Sequence, residues 1–287
     1  MCGIVGAISL VPWKTRPPLT TMRDCLKHRG PDDAGEWWSA DGRVGLAHRR
    51  LSILELSSLG HQPMFSDNEG EPRIAIVFNG EIYNFAELKT ELEAKGFRFR
   101  SHSDTEVIIN AYRAWGTTCI THLRGMFAIA LYDAENARVF LARDRAGEKP
   151  FFYTIAGNEL RFASELKALL ADPAVPRVMD ADALNTYLAF GYVAGEQCLV
   201  AGIRKLAPAT FATFDLNSGK FETESYWHLP SPPDGGQVNE SELVDELDSL
   251  LQASVREQLV ADVPVGVLLS GGVDSSLVVA MAARASA

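Results

Sequence analysis

Three stretches of this chain each read as two alternating strands joined by a turn. They are MFAIALYD and ARVFLARD across AEN, PFFYTIAGNELRFAS across Gly157-Asn158, and FATFDLNSGKFETESYW. Period-two alternation bounded by turn residues predicts β-hairpins. CGIVGAISL, RVGLAHRRLSIL and RIAIVFNGEIYNF are further strand candidates. LTTMRDCLKH is a short helix stopped at Gly30-Pro31, FAELKTELEAKG a helix closed by Gly96, and SDTEVIINAYRAWG a second helix. Hairpins interleaved with helices predict an α+β protein, antiparallel sheets covered by helices. With 287 residues, 47% of them hydrophobic, the chain can bury the core of one large domain or two modest ones.

LPSPPDGGQ, rich in Pro and Gly, reads as a linker. Beyond it, Leu243, Leu247, Leu250, Leu251, Val255 and Leu259 fall on one face of a predicted helix. VPVGVLLSGG reads as a buried strand running into a glycine turn, and VDSSLVVAMAARASA as the helix that follows. The expected division is a first domain over 1–229, a linker over 230–239, and over 240–287 the start of an α/β nucleotide-binding domain, truncated eleven residues after Ser276.

A net charge of -10 opposes binding to nucleic acid, which needs basic faces to displace counterions. Four widely spaced cysteines without a CxxC suit a reduced compartment, with Cys25, Cys119 and Cys198 expected in the core. No leader and no apolar run of membrane-spanning length are found, so a soluble cytoplasmic protein is expected. The six histidines show no metal-ligand spacing, and no metal is expected at the N-terminal region.

Two motifs carry chemistry. In LLSGGVDSS, glycines after a strand let backbone N–H groups approach a phosphate at a helix N-terminus, with hydroxyls of Ser270, Ser275 and Ser276 as further donors. It is not a Walker A loop; its plain reading is a strand-to-helix turn capped by Ser275. At the other end, MCGIVG puts Cys2 directly behind the initiator. Once Met1 is removed, the thiol and its own α-amine, of unperturbed pKa about 7.7–8.0, form a nucleophile and its base within one residue. The plain alternative is a cysteine packed on a strand.

MCGIVG, HRGPDDAG, HRRLSI, FNGEIYN, SDTEV, RGMFAIALYD, RDRAGEKPFFY and FASELKALL occur in that order. Together they resemble the glutaminase domain of class II glutamine amidotransferases, and SGGVDSS points within that group to the glutamine-hydrolysing asparagine synthetases. The resemblance implies the αββα sandwich of N-terminal-nucleophile hydrolases. It implies Cys2 as nucleophile, Asn79 and Gly80 as oxyanion hole, and Arg50, Glu81 and Asp104 as holders of the amino acid head group. In the second part it implies Ser270, Gly271, Gly272, Asp274, Ser275 and Ser276 as a pyrophosphate loop of enzymes that split ATP. Glutamine is then the substrate, with ATP, Mg and aspartate expected for the full-length protein, no cofactor for glutamine hydrolysis, and a homodimer left open.

Most of the site residues also have a plainer reading. Arg50 reads as a surface charge on a strand, and Arg49 faces the other side by alternation. Asn79-Gly80 reads as a hairpin turn. Ser103 and Glu106 fit a capping box in which Asp104 only complements the helix dipole. Arg29 and Gly30-Pro31-Asp32 serve equally as a loop over the glutamine pocket or as ordinary turn chemistry. The open functional alternatives are an amidotransferase of the same plan acting on another acceptor (a sugar, peptide or antibiotic precursor), and a non-catalytic glutamine-binding remnant.

Overall fold

The computed structural model describes residues 1–66, 71–231 and 239–286. They separate into two compact units, Met1–His228 and Leu229–Ala287. The predicted linker falls largely on 232–238, outside the described residues.

The first unit runs β1 (Gly3–Ser9), α1 (Leu19–Asp24), β2 (Asp33–Trp38), β3 (Val44–Arg50), β4 (Met64–Phe65), β5 (Ile74–Ile82), α2 (Phe85–Ala94), α3 (Asp104–Trp115), β6 (Gly125–Asp133), β7 (Arg138–Arg143), β8 (Phe152–Ala156), β9 (Glu159–Ala163), α4 (Leu166–Leu169), α5 (Ala181–Phe190), β10 (Ile203–Lys205), β11 (Thr210–Asp215) and β12 (Phe221–Ser225). One sheet has the order β10-β8-β9-β1-β3-β2 and the other β12-β11-β7-β6-β5-β4. The strand pairs are antiparallel, and the three predicted hairpins are β6–β7, β8–β9 and β11–β12.

Alternation along each strand sorts the core into three slabs. Ile4, Ile8 and Leu46 meet Val77, Ala130 and Phe214 between the sheets. On the outer face of one sheet, Val5, Ala7 and Ala47 pack against Leu19, Met22 and Leu26 of the α1 region and Leu169 of α4. On the other, Ile76, Phe78 and Ile129 pack against Leu88 and Leu92 of α2 and Val107 and Ile108 of α3. The result is helix–sheet–sheet–helix. Cys119 and Cys198 are buried as expected, while Cys25 is only partly covered.

Two local readings change. Asn79 and Gly80 are not a turn: both lie inside β5, opposite Ala128 and Phe127 of β6. The apolar run before Asn79 and the one after Gly80 belong to one strand. The capping box is half formed. Ser103 Oγ accepts from Thr105 N–H at 3.2 Å, but Glu106 does not return to the Ser103 N–H. Its carboxylate accepts from Arg100 N–H at 3.0 Å, Ser101 N–H at 2.8 Å and the Ser101 hydroxyl at 2.6 Å, tying down the preceding loop instead.

The second unit contains α6 (Glu240–Gln258) and α7 (Val273–Ala285), linked by Arg284 Nη1 to Asp248 Oδ1 at 3.3 Å. The strand expected in VPVGVLLSGG is not formed, and Leu268 is 92% exposed. Strand N–H and C=O groups need a ladder partner, and the described residues of this unit include no other strand.

Candidate active site

The alternation that builds the core also builds the site. Period two carries the inter-sheet face of β1 back to Cys2, that of β3 on to His48 and Arg50, and that of β5 on to Asn79 and Glu81. At this end of the sandwich apolar side chains give way to polar ones. A cavity of about 220 Å³ opens there, lined among others by Cys2, Arg50, Asn79, Gly80, Glu81 and Asp104. The six residues named for the glutamine end are thus brought together, from three strands and one helix start.

Cys2 is held at the cavity by its neighbours. Leu51 N–H donates to Sγ at 3.4 Å, and Arg29 Nε donates to the Cys2 carbonyl at 2.8 Å while its Nη1 is anchored by Glu165 Oε1 at 2.9 Å. Burial pushes the thiol above its ordinary value, against the lowering effect of the Leu51 hydrogen bond, so it needs a base to ionise. The Met1 α-amine is held below its ordinary value by burial, with Arg29 and Lys149 adding to the effect.

The edge of β5 supplies oriented donors. Just beyond β5, Tyr83 N–H bonds Arg124 O at 2.7 Å, so odd-numbered residues turn their backbone toward β6 and even-numbered ones toward the opposite edge. Among the described residues that edge is covered by β4 beside Ile76 and Ala75, and by Ser66, whose N–H bonds Ile74 O at 3.1 Å. Further along, Phe78 N–H goes to Gln62 Oε1 at 2.7 Å and Ile82 N–H to Asp104 Oδ2 at 3.0 Å. Between them the Gly80 N–H points the same way, into the cavity. Opposite Gly80, both backbone groups of Phe127 are already taken by Asp144. A Cβ at Gly80 would lie 2.1 Å from Met126 O, so the close approach of β5 and β6 admits only glycine. Beside it the Asn79 side chain is fully buried, and neither Nδ2 nor Oδ1 has a hydrogen-bond partner among the described residues. An unpaired buried amide costs about 1–3 kcal/mol, a strained arrangement that a ligand oxygen would relieve.

The far side of the cavity is polarised. Arg50, 6% exposed, donates Nη1 to Ser57 O at 3.1 Å and Nη2 to Leu54 O at 3.1 Å, with Glu55 O as a further acceptor. The 51–60 loop therefore wraps a fixed cation, and Gly60 gives it room, since a Cβ there would meet Nη2. Arg49 points the other way, to Asp24 at 2.9 Å, as alternation requires. Asp104 is pushed up to about 7 by burial, with nearby Glu81 adding to the effect against the Ile82 hydrogen bond. Burial also raises Glu81, which makes no hydrogen bond or ion pair among the described residues. A fixed guanidinium and two carboxylates lacking a salt-bridge partner match an amino acid's carboxylate and ammonium.

Two lining residues carried no role in the sequence reading. Lys149 sits beside Met1, its Nζ 3.4 Å from Sδ, with its pKa lowered by burial. Gln62 is a single polar residue before a proline, and no local pattern marks it. The Ser270–Ser276 loop lies in the second unit. There the Ser270 and Ser275 hydroxyls are 3.0 Å apart, and Ser275 and Ser276 donate to Gly272 O at 3.1 and 2.8 Å. Among the described residues, no group of His, Cys, Asp and Glu is arranged to hold a metal ion, and no helix is long and apolar enough to cross a membrane.

Comparison with known proteins agrees with this geometry. An asparagine synthase model matches residues 246–287. "Asparagine synthetase [glutamine-hydrolyzing] 3" of Bacillus subtilis is 37% identical over 99% of this chain and 45% of its own length. "Putative asparagine synthetase [glutamine-hydrolyzing] 2" of Methanocaldococcus jannaschii is 37% identical over 97% of this chain and 56% of its own. "Amidase chry2" of Gibberella zeae is 36% identical over 98% and 42%. The chain spans about half the length of the curated relatives it matches. In fold it is similar to the glutamine phosphoribosylpyrophosphate amidotransferase of B. subtilis solved with ADP and GMP. That match has a TM-score of 0.57 at 17% identity and covers 99% of this chain and 64% of that one. A glutamine amidotransferase domain model matches residues 1–227, and the chain belongs to that family.

Proposed function

We propose that residues 1–229 hydrolyse glutamine to glutamate and ammonia through a thioester on Cys2. The observation that carries this reading is the buried, unpaired Asn79 amide beside the open Gly80 N–H, both lining the cavity that holds the Cys2 thiol. The head group of glutamine binds with its carboxylate on Arg50 and its ammonium on Glu81 and Asp104. After Met1 is removed, the α-amine of Cys2 takes the thiol proton and the thiolate attacks the side-chain amide carbon. Asn79 Nδ2 and Gly80 N–H receive the oxyanion, each donor worth about 2.7–4 kcal/mol in the transition state. The protonated amine then gives its proton to the departing ammonia, and the same amine activates the water that hydrolyses the thioester.

The acceptor belongs to the rest of the protein. The relatives named asparagine synthetase support aspartate as the acceptor; we further propose its activation by ATP with Mg in a second domain from about residue 240, in a cytoplasmic enzyme. Ser270, Gly271, Gly272, Asp274, Ser275 and Ser276 offer the donor set of a phosphate loop ahead of α7. ATP would bind there in the whole protein. A second reading keeps the same glutaminase but sends ammonia to another acceptor, and the relative named amidase favours it. Cys2→Ala tests the shared core: glutamate release should be abolished while glutamine still binds, and full turnover by this variant would refute the mechanism.

A further inference from the structure

β4 pairs with β5 with Met64 opposite Ile76 and Phe65 opposite Ala75, two residues short of Phe78. The backbone ladder does not reach that far, and two side chains take its place. Gln62 Oε1 accepts the Phe78 N–H at 2.7 Å, and His48 Nε2 lies 3.0 Å from the Phe78 carbonyl, which fixes the tautomer with the proton on Nε2. Burial holds His48 neutral, pulled down to about 3. The other end of the Gln62 amide donates from Nε2 to Thr105 Oγ1 at 3.2 Å, one residue after Asp104. Asp104 in turn accepts from Ile82. The Gly80 N–H is therefore framed: one bridge from the α3 start reaches the strand two residues before it, and another reaches two residues after it. Gln62 is buried at 4% exposure, and among the described residues its side chain makes these two hydrogen bonds and no other.

We propose that Gln62 is a positioning residue that sets the distance between the oxyanion donors on β5 and the ammonium-binding start of α3. This role rests on the glutaminase reading of the cavity. Its Phe78 arm aims the Asn79–Gly80 peptide and bears on turnover. Its Thr105 arm sets Asp104 and bears on glutamine binding.

The test is steady-state glutaminase kinetics on the chain lacking Met1, with Gln62→Leu, Thr105→Val and the double variant. Thr105→Val removes one arm and should raise KM about fivefold, the worth of one neutral hydrogen bond, with kcat within about twofold. Gln62→Leu removes both arms and should lower kcat about 10- to 100-fold as well, the cost of a misplaced donor. In the double variant KM should rise no further, because both changes break the same bridge. A kcat for Gln62→Leu within twofold of the parent, or KM effects that multiply, would overturn the role. Amide exchange reads the bridge without turnover: Gln62→Leu should lose protection at Phe78 and at the α3 start together, and retained protection at both would overturn it. A parent chain that releases no glutamate would instead count against the glutaminase reading, leaving the exchange result to decide the bridge.

Discussion

Replacing Asp104 by Asn should stabilise the empty protein while crippling its affinity for glutamine. Asp104 is buried, accepts from the Ile82 N–H, has no cation within salt-bridge distance among the described residues, and is pushed up to about 7 from its ordinary 3.8. A carboxyl whose folded value is raised binds its proton more tightly in the native state, so stability falls as pH climbs from the unfolded value through about 7. At about 1.36 kcal/mol per pH unit, keeping Asp104 ionised at pH 8 costs up to roughly 4 kcal/mol, of which less than about half has accrued by pH 5. Asn keeps an acceptor for Ile82 and carries no charge. The advantage of Asp104→Asn should therefore grow between pH 5 and pH 8 by about 1–2.5 kcal/mol, the lower figure allowing for relaxation and water entry, and level off above pH 7. Urea unfolding followed by tryptophan fluorescence measures it, because all five tryptophans (Trp13, Trp37, Trp38, Trp115 and Trp227) lie in the first unit. The same carboxylate must be ionised to hold the substrate ammonium, so parent KM should rise as pH falls through 7 and that of the variant should be high throughout. A pH-independent stability difference, or a variant less stable at pH 8, would show that burial does not hold the Asp104 carboxyl in its protonated form.

Asn79→Ala should lower kcat by about 10²–10³ while leaving unfolding stability unchanged or slightly higher, because the amide it removes is unpaired in the empty site. Equal loss of stability and rate, measured on one preparation, would count against an oxyanion role. Gly80→Ala should damage both, since its Cβ must push Met126 O aside, and a well-folded active Gly80→Ala protein would show that β5 and β6 are not so close. Phe162→Ala, removing a fully buried ring between the sheets, should cost about 3–5 kcal/mol in urea unfolding with little change in KM for glutamine.

Much of this was legible because the chain's periods are clean. The three hairpins, the α2 helix closed by Gly96 and the α3 helix capped by Ser103 follow from local patterns. The same alternation that marks β3 as a strand separates Arg50 from Arg49, which the structure places on opposite faces. What failed was non-local. Asn-Gly imitates a hairpin turn, and only pairing with Ala128 and Phe127, far along the chain, makes it the middle of a strand. Glu106 fits a capping box by spacing, yet the 100–101 loop claims its carboxylate. Gln62 and Lys149 had no signal because their roles depend on contacts 43 and 148 residues away in sequence. VPVGVLLSGG has the composition of a buried strand, and composition does not supply the neighbour that a strand requires.

Whether Cys2 acts with its own α-amine is read from the intact mass of the purified chain, taken together with glutamate release from glutamine. A mass lacking Met1 is expected, with glutamate formed without ATP. Glutamate formed by a chain that retains Met1, or none formed by a folded chain that lacks it, would contradict that role of the amine.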